Sequence, residues 1–69
     1  MRLREVRNLR RGDTVVLGEP WGNTRFEVVS VDTADYAGFY GVTLAHLPPT
    51  ETSPKVRAVW PGDDLIELV

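Results

Sequence analysis

The sequence predicts an all-β domain, a small barrel of five strands with a 3₁₀ turn before the last strand. In several short runs rich in valine and aromatic residues, apolar and polar positions alternate as they do in β-strands. Glycine, proline and asparagine separate these runs. The chain has 69 residues, enough for one domain but too few for a sandwich of two sheets. Because it contains no cysteine and a single histidine, ordinary apolar side chains must form the core, alone or with a partner subunit.

A basic lead-in over residues 1–11 opens the domain of residues 1–69. Leu3, Val6 and Leu9 recur at intervals of three. This spacing favours one or two helical or 3₁₀ turns, and a short strand is the alternative. In either case we expect Val6 and Leu9 to plug one end of the barrel.

A turn over residues 10–13 is predicted to lead into the first strand. Gly12 occupies the third position of this turn, where a positive φ costs least because glycine has no Cβ atom. Asp13 can cap the turn through its side chain. The β-branched run Thr14–Leu17 that follows is the first predicted strand.

The same alternation predicts four further strands, at Arg25–Val31, Phe39–Leu47, Lys55–Trp60 and Leu65–Val69. Near Ser30 the apolar positions change face, which predicts a bulge or a sharp bend. Gly41 would let its strand bend or let another backbone approach. We expect the turn Pro61–Asp64 to be 3₁₀. The side chains expected to face mainly inward are Phe26, Val28, Tyr40, Val42, Leu44, Val56, Ala58, Ile66 and Leu68.

This order of strands and loops resembles the SH3-like barrels, the group that includes Tudor and KOW-type domains. The resemblance covers residues 12–69 and rests on the run Gly12–Val16, on Phe26–Val31 and on the turn Pro61–Asp64 before the last strand. It implies a single SH3-like barrel whose loops are available for binding.

The first loop departs from the pattern of peptide-binding SH3 domains. Those domains carry an acidic, tyrosine-rich first loop and a tryptophan pair at the start of the fourth strand. Here the loop holds only Glu19 and Trp21, and Trp60 stands alone at the end of a strand. Recognition of proline-rich peptides is therefore not expected.

Composition gives an expectation about origin and location. Arginine outnumbers lysine seven to one, as GC-rich codons favour. In size, composition and pattern the chain resembles short uncharacterised proteins encoded by phages of GC-rich actinobacteria. The charged first five residues do not resemble a signal peptide, and no apolar run is long enough to span a membrane. We therefore expect a cytoplasmic protein, in the host cytoplasm if it is phage-encoded.

Enzymatic chemistry is not expected from the titratable and nucleophilic residues. His46 has no evident partner that would make it a general base. Ser30 and Ser53 do not lie in a nucleophile-elbow pattern. Asp63 and Asp64 are adjacent on a turn, so their carboxylates diverge, whereas a catalytic pair must converge on one bond. We predict no catalytic residue, no cofactor and no metal site.

Charge is distributed unevenly along the chain. The net charge of −2 argues against a general binder of polyanions. Residues 1–11 nevertheless hold five arginines and one glutamate, a local charge of +4, while residues 12–69 carry −6. This asymmetry indicates a face for nucleic acid or an acidic partner, or a lead-in that simply lies on the acidic barrel.

The nucleic-acid hypothesis uses the arginines around the first turn together with a tryptophan. Arg7, Arg10 and Arg11 flank the turn, and Arg25 begins the next strand shortly after Trp21. Guanidinium groups bind phosphates and an aromatic face stacks on bases. KOW-type barrels use comparable loops, so the resemblance favours this hypothesis.

Binding of a protein partner is the function we expect first. The last strand is expected to expose its edge, and unpaired edges favour β-addition or self-association. Trp21, Tyr36 and Phe39 lie in or beside loops, where they suit an interface or an aromatic cage for methyl-lysine. The predicted function is a non-catalytic module for a protein partner, such as a host protein. A weak nucleic-acid binder and a self-associating structural subunit, such as a homodimer, are the alternatives.

Overall fold

The computed structural model describes residues 2–18, 22, 24–47 and 54–69. These residues form an all-β structure with one short 3₁₀ helix, Val6–Asn8. The strands are β1 (Arg2–Glu5), β2 (Thr14–Leu17), β3 (Thr24–Thr33), β4 (Phe39–His46), β5 (Val56–Pro61) and β6 (Leu65–Leu68). The boundaries of the last five agree with the predicted strands to within two residues, because their alternation and turn residues are strong.

All six strands belong to one antiparallel sheet with the order β1-β6-β2-β3-β4-β5. The predicted count of five was wrong, because the start of the lead-in is a strand that pairs with β6, with Arg2 opposite Leu68. The predicted exposed edge of the last strand was also wrong. β6 lies between β1 and β2, so the edge strands of the described sheet are β1 and β5.

The 3₁₀ turn predicted at Pro61–Asp64 was wrong. Pro61 ends β5, and the next residues form a hydrogen-bonded turn in which the N–H of Asp64 donates to the carbonyl of Pro61 over 3.1 Å. Both alternatives considered for the lead-in are present, since β1 is a short strand and the 3₁₀ helix follows it. This helix is held because the N–H groups of Val6 and Arg7 donate to the carbonyls of Asp64 and Gly62, over 2.9 and 3.0 Å.

The bulge predicted near Ser30, in the strand that is now β3, is confirmed. The register between β3 and β4 shifts between Val28 and Ser30, so Val29 is the extra residue. The shift returns Val31 to the face of Val42, which is buried. A ten-residue strand can thereby keep apolar residues on one side although the sheet bends.

The core consists of residues from the 3₁₀ segment and from four of the strands. Its buried members are Val6, Leu9, Val15, Leu17, Phe26, Val28, Val42, Leu44, Ile66 and Leu68. The burial predicted for Val6 and Leu9 is confirmed. Three residues predicted inside, Tyr40, Val56 and Ala58, are only partly buried and pack against this core. They lie on β4 and the edge strand β5, where fewer neighbours cover them.

The turn over residues 10–13 has the geometry that the sequence predicts. Gly12 has a φ of 94°, and the N–H of Asp13 donates to the carbonyl of Arg10 over 3.0 Å. The Asp13 carboxylate accepts the N–H of Arg10 at 2.8 Å, which confirms the cap. Val28 fixes the turn to β3, because it accepts the N–H of Gly12 and donates to the carbonyl of Asp13.

Replacing Gly12 by L-alanine is expected to lower the free energy of unfolding by about 1 kcal/mol. No atom lies within 4 Å of an added Cβ, so the cost comes from the positive φ alone. Urea titration followed by circular dichroism measures it. A synthetic chain with D-alanine at the same position should retain wild-type stability. Equal losses for both enantiomers would contradict the φ assignment.

Gly41 makes room for a side chain on the outer face of the sheet. A Cβ at this position would collide with the guanidinium of Arg57, which lies across β4. That guanidinium donates to the two carboxylate oxygens of Asp32 over 2.9 and 3.2 Å. The close approach expected at Gly41 is therefore present, but it comes from a side chain and not from a backbone.

Candidate binding site

An open cavity of about 550 Å³ lies beside the first turn, and we call it the arginine cavity. Its lining residues are Arg4, Arg7, Asn8, Leu9, Arg10 and Asp13. Three arginines and one aspartate therefore line a space that is open to solvent. The cavity brings together two of the arginines that the nucleic-acid hypothesis names, Arg7 and Arg10.

Three local structures build the arginine cavity. β1 supplies Arg4, the 3₁₀ helix supplies Arg7 and Asn8, and the glycine turn supplies Arg10. Asp13 connects β1 with the glycine turn, since one of its oxygens accepts the Arg4 Nη1 at 2.7 Å as well as the Arg10 N–H. This carboxylate thus fixes the wall of the cavity and neutralises one of its three cations.

Arg7 is held at its base and lightly bound at its tip. Its Nε donates to the carbonyl of Gly62 over 3.2 Å, in addition to the backbone bond already described. Its Nη2 forms an exposed ion pair of 3.2 Å with Glu5. An exposed pair of this kind contributes little free energy. The tip of Arg7 can therefore exchange Glu5 for another anion.

The guanidinium groups of Arg10 and Arg11 make no ion pair within the part of the chain that the structure describes. Both residues are exposed on the turn. Arg10 lines the arginine cavity, whereas Arg11 does not. Arg10 is accordingly the cation of this cavity whose guanidinium has no ion-pair partner among the described residues.

A second open cavity, of about 360 Å³, lies on the other side of Arg7, and we call it the aromatic cavity. Its lining residues are Arg7, Ala37, Gly38, Phe39, Tyr40, Gly62 and Asp63. Beside it the exposed rings of Tyr36 and Phe39 meet edge to face, with centroids 6.1 Å apart. Arg7 lines both cavities, so the arginines and the aromatic pair form adjoining parts of one surface.

Two further residues predicted for binding, Arg11 and Arg25, line neither cavity. Arg25 lies on β3 opposite Val16. Trp21 lies outside the described residues. Of the aromatic cage proposed from the sequence, the structure therefore brings Tyr36 and Phe39 together.

Sequence reasoning missed Arg4, Asn8 and Gly62 as parts of the surface. Arg4 reaches the cavity only because β1 pairs with β6, a contact between distant parts of the chain. Gly62 supports Arg7 through its carbonyl, and an added Cβ there would lie 2.7 Å from the ring of Tyr40. Alternation of charge along Arg2–Glu5 is the one local signal that could have suggested a strand with Arg4 on one face.

The residues considered for catalysis are dispersed. The ring of His46 packs against the buried ring of Phe26, with centroids 4.7 Å apart. Ser30 lies on β3, and Asp63 lies on the turn after β5. Ser53 falls outside the described residues. Among the residues described there is no group of three or more histidine, cysteine or acidic side chains that could hold a metal ion.

Comparison with known proteins finds no matching family model and no curated protein of significant similarity. The described part of the chain also contains no helix long and apolar enough to cross a membrane. The class of protein is thus defined by its own structure, a small all-β domain with a basic cavity beside an exposed aromatic pair.

Replacing Asp13 by asparagine is expected to lower the free energy of unfolding by about 1 kcal/mol. The change keeps the shape of the side chain but removes the charge that Arg4 and the turn share. Thermal or urea unfolding measures the loss. Asp63→Asn, on an exposed turn, is the matched control and should have little effect. Equal losses would contradict the role of Asp13 in the turn.

Proposed function

We propose that the protein is a non-catalytic binding module that recognises a protein partner at the free edge of β5. The observation that supports this proposal is the position of Val56–Pro61, which pairs with β4 on one side and with no other strand of the described residues. Backbone groups on the other side are available to an added strand. The exposed Tyr36 and Phe39 rings lie close to the end of this edge, because Phe39 is opposite Pro61.

The other edge of the sheet is less suited to strand addition. β1 has four residues and carries three charged side chains, among them Arg2 and Glu5. Short, charged edges discourage pairing with another chain. β5 has six residues and exposes Val59, whose relative accessibility is 48%. An apolar side chain on the longer edge favours β5 as the interface.

Affinity capture with the intact chain tests this proposal. Val59→Asp should abolish the capture of a protein partner that is still recovered after nuclease treatment. Leu3→Asp, at a similarly exposed position on β1, should leave this capture unchanged. Loss with Leu3→Asp alone, or with neither variant, would contradict the β5 interface. If the bait captured only further copies of the same chain, the self-associating subunit would be favoured. Measurement of its mass in solution at several concentrations would establish that state.

We also propose that β2–β6 form an SH3-like barrel. Its support is that β6 returns to pair with β2, which gives the order β6-β2-β3-β4-β5 of a partly open barrel in which β5 keeps a free edge. The bulge in β3 and the bonds from Val6 and Arg7 to the turn after β5 also support a curved sheet. A structure in solution that separates this turn from Val6–Asn8 would contradict the barrel. The proposed setting is the cytoplasm of a bacterial or phage-infected cell, supported by composition alone.

Nucleic-acid binding is the second candidate function, and the arginine cavity is the observation that favours it. The Arg10 guanidinium forms no ion pair with the residues that the structure describes, and the terminal nitrogens of Arg7 form an exposed ion pair with Glu5. Phosphate contacts of this type weaken steeply with salt. Binding of an oligonucleotide that survives a rise in salt would contradict an electrostatic site.

A further inference from the structure

We infer that the arginine cavity and the aromatic cavity form one groove for single-stranded nucleic acid, with phosphates at Arg10 and Arg7 and a base on Phe39. The inference rests on the second candidate function. It adds the form of nucleic acid and the order of the contacts along the surface. Arg7 is the residue that joins the two halves, since it lines both cavities.

The position of Arg7 gives the groove its continuity. The carbonyl of Gly62 accepts both the backbone N–H and the Nε of Arg7, over 3.0 and 3.2 Å. These two bonds fix the side chain between the cavities and leave its terminal nitrogens near solvent. A phosphate can replace Glu5 there, because that pair is exposed and 3.2 Å long.

The arginine half of the groove supplies charge at Arg10, whose guanidinium makes no ion pair with the described residues. The Asp13 carboxylate in the same wall accepts the Arg4 Nη1 at 2.7 Å and the Arg10 backbone N–H at 2.8 Å through one oxygen, so Arg4 offsets its charge. The planar donor group of Arg10 suits bidentate contact with a phosphate. Asn8, in the same wall, adds an amide that can donate.

The aromatic half favours a single strand over a duplex. Phe39 and Tyr36 are 38% and 72% exposed, so a ring face is open to a ligand. A base must leave its stack before it can lie on such a ring, and only single strands offer bases in this state at low cost. Stacking of this kind is independent of base identity.

The acidic remainder of the chain limits the footprint. Residues 12–69 carry a charge of −6, which includes Asp13 and Asp63 in the lining of the two cavities, so a long polyanion is repelled. We expect about two phosphate contacts, which for a single strand corresponds to a slope of about −1.4 for log affinity against log salt.

The test uses the intact protein and a fluorescent ten-nucleotide oligothymidine at low salt, followed by anisotropy. Binding should weaken about fivefold or more in Arg10→Gln, which removes a phosphate contact. It should weaken about tenfold in Phe39→Leu, which removes the stacking ring. Arg25→Gln, which removes an arginine outside the groove, should leave affinity unchanged. A duplex of equal length should bind more weakly than the single strand.

The outcomes distinguish failure of the proposed groove from failure of nucleic-acid binding, the candidate function on which it rests. No binding to any oligonucleotide would overturn both. Binding that depends on Arg10 but is unchanged by Phe39→Leu and by Tyr36→Ser would overturn the groove and leave nucleic-acid binding standing. Equal losses in Arg10→Gln and Arg25→Gln, or equal affinity for the duplex, would also overturn it. The melting temperature of each variant shows whether its fold is retained.

Discussion

Phe26→Ala is expected to lower the free energy of unfolding by about 3–5 kcal/mol, a large part of the total stability of the protein. Phe26 lies on β3 with no exposed surface and is among the largest fully buried side chains. Truncation of a buried phenylalanine costs about 3–5 kcal/mol, because contacts are lost and a cavity remains. A domain of this length has a total stability of about 3–10 kcal/mol. Loss of the strand signal in circular dichroism, or a large fall in the urea midpoint, measures the effect.

The second phenylalanine of the chain supplies the control. Phe39 lies on the outer face of β4 and is 38% exposed, so Phe39→Ala removes less buried surface than Phe26→Ala and leaves no enclosed cavity. We expect it to cost about 1 kcal/mol or less. If both substitutions lowered the urea midpoint equally, Phe26 would not occupy the centre of the core.

Gly62→Ala is expected to lower the free energy of unfolding by about 1–3 kcal/mol, by overpacking. The new Cβ would lie 2.7 Å from the ring of Tyr40 and 3.4 Å from the Cβ of Arg7. Gly62 also donates to the carbonyl of Gly38 over 2.8 Å and accepts two bonds from Arg7, so its backbone cannot easily retreat. Chemical unfolding at equilibrium measures the loss.

A double-mutant cycle identifies the cause of that loss. Tyr40→Ala removes the ring that the new methyl group would strike. In that background Gly62→Ala should cost clearly less than in the wild-type chain, because the two residues are in contact. An unchanged cost would mean that the turn itself, and not the ring, rejects the substitution.

Local pattern was sufficient for most of the fold. The strand Thr14–Leu17, the bulge beside Ser30 and the turn at Gly12 depend on neighbouring residues, and all three are present as predicted. Alternation and turn chemistry act over a few residues, so a single sequence contains the necessary information.

The parts that were missed depend on contacts between distant residues. Arg2–Glu5 has no strong strand preference and becomes a strand because β6 pairs with it. Leu3 shares the spacing of Val6 and Leu9 but is exposed, whereas the other two are buried. Spacing alone could not distinguish them, because the chain changes from strand to 3₁₀ helix between them.

The same distinction between local pattern and long-range contact applies to the candidate site. Arg10 reaches the arginine cavity through the glycine turn, which is a local feature, although the adjacent Arg11 does not line it. The contact of Arg7 with Gly62, and through it the proximity of Phe39, joins residues from opposite parts of the chain. No local pattern contains that contact.

The placement of β6 between β1 and β2 has a consequence for the order in which the protein can be made. As the chain leaves the ribosome, β2, β3, β4 and β5 each meet a partner that is close in sequence. β1 is synthesised first, yet its partner in the sheet is β6. The opening strand, with Arg4, must therefore wait until Leu65–Leu68 has emerged. The basic cavity is completed only after the hairpins, by the longest-range pairing in the fold.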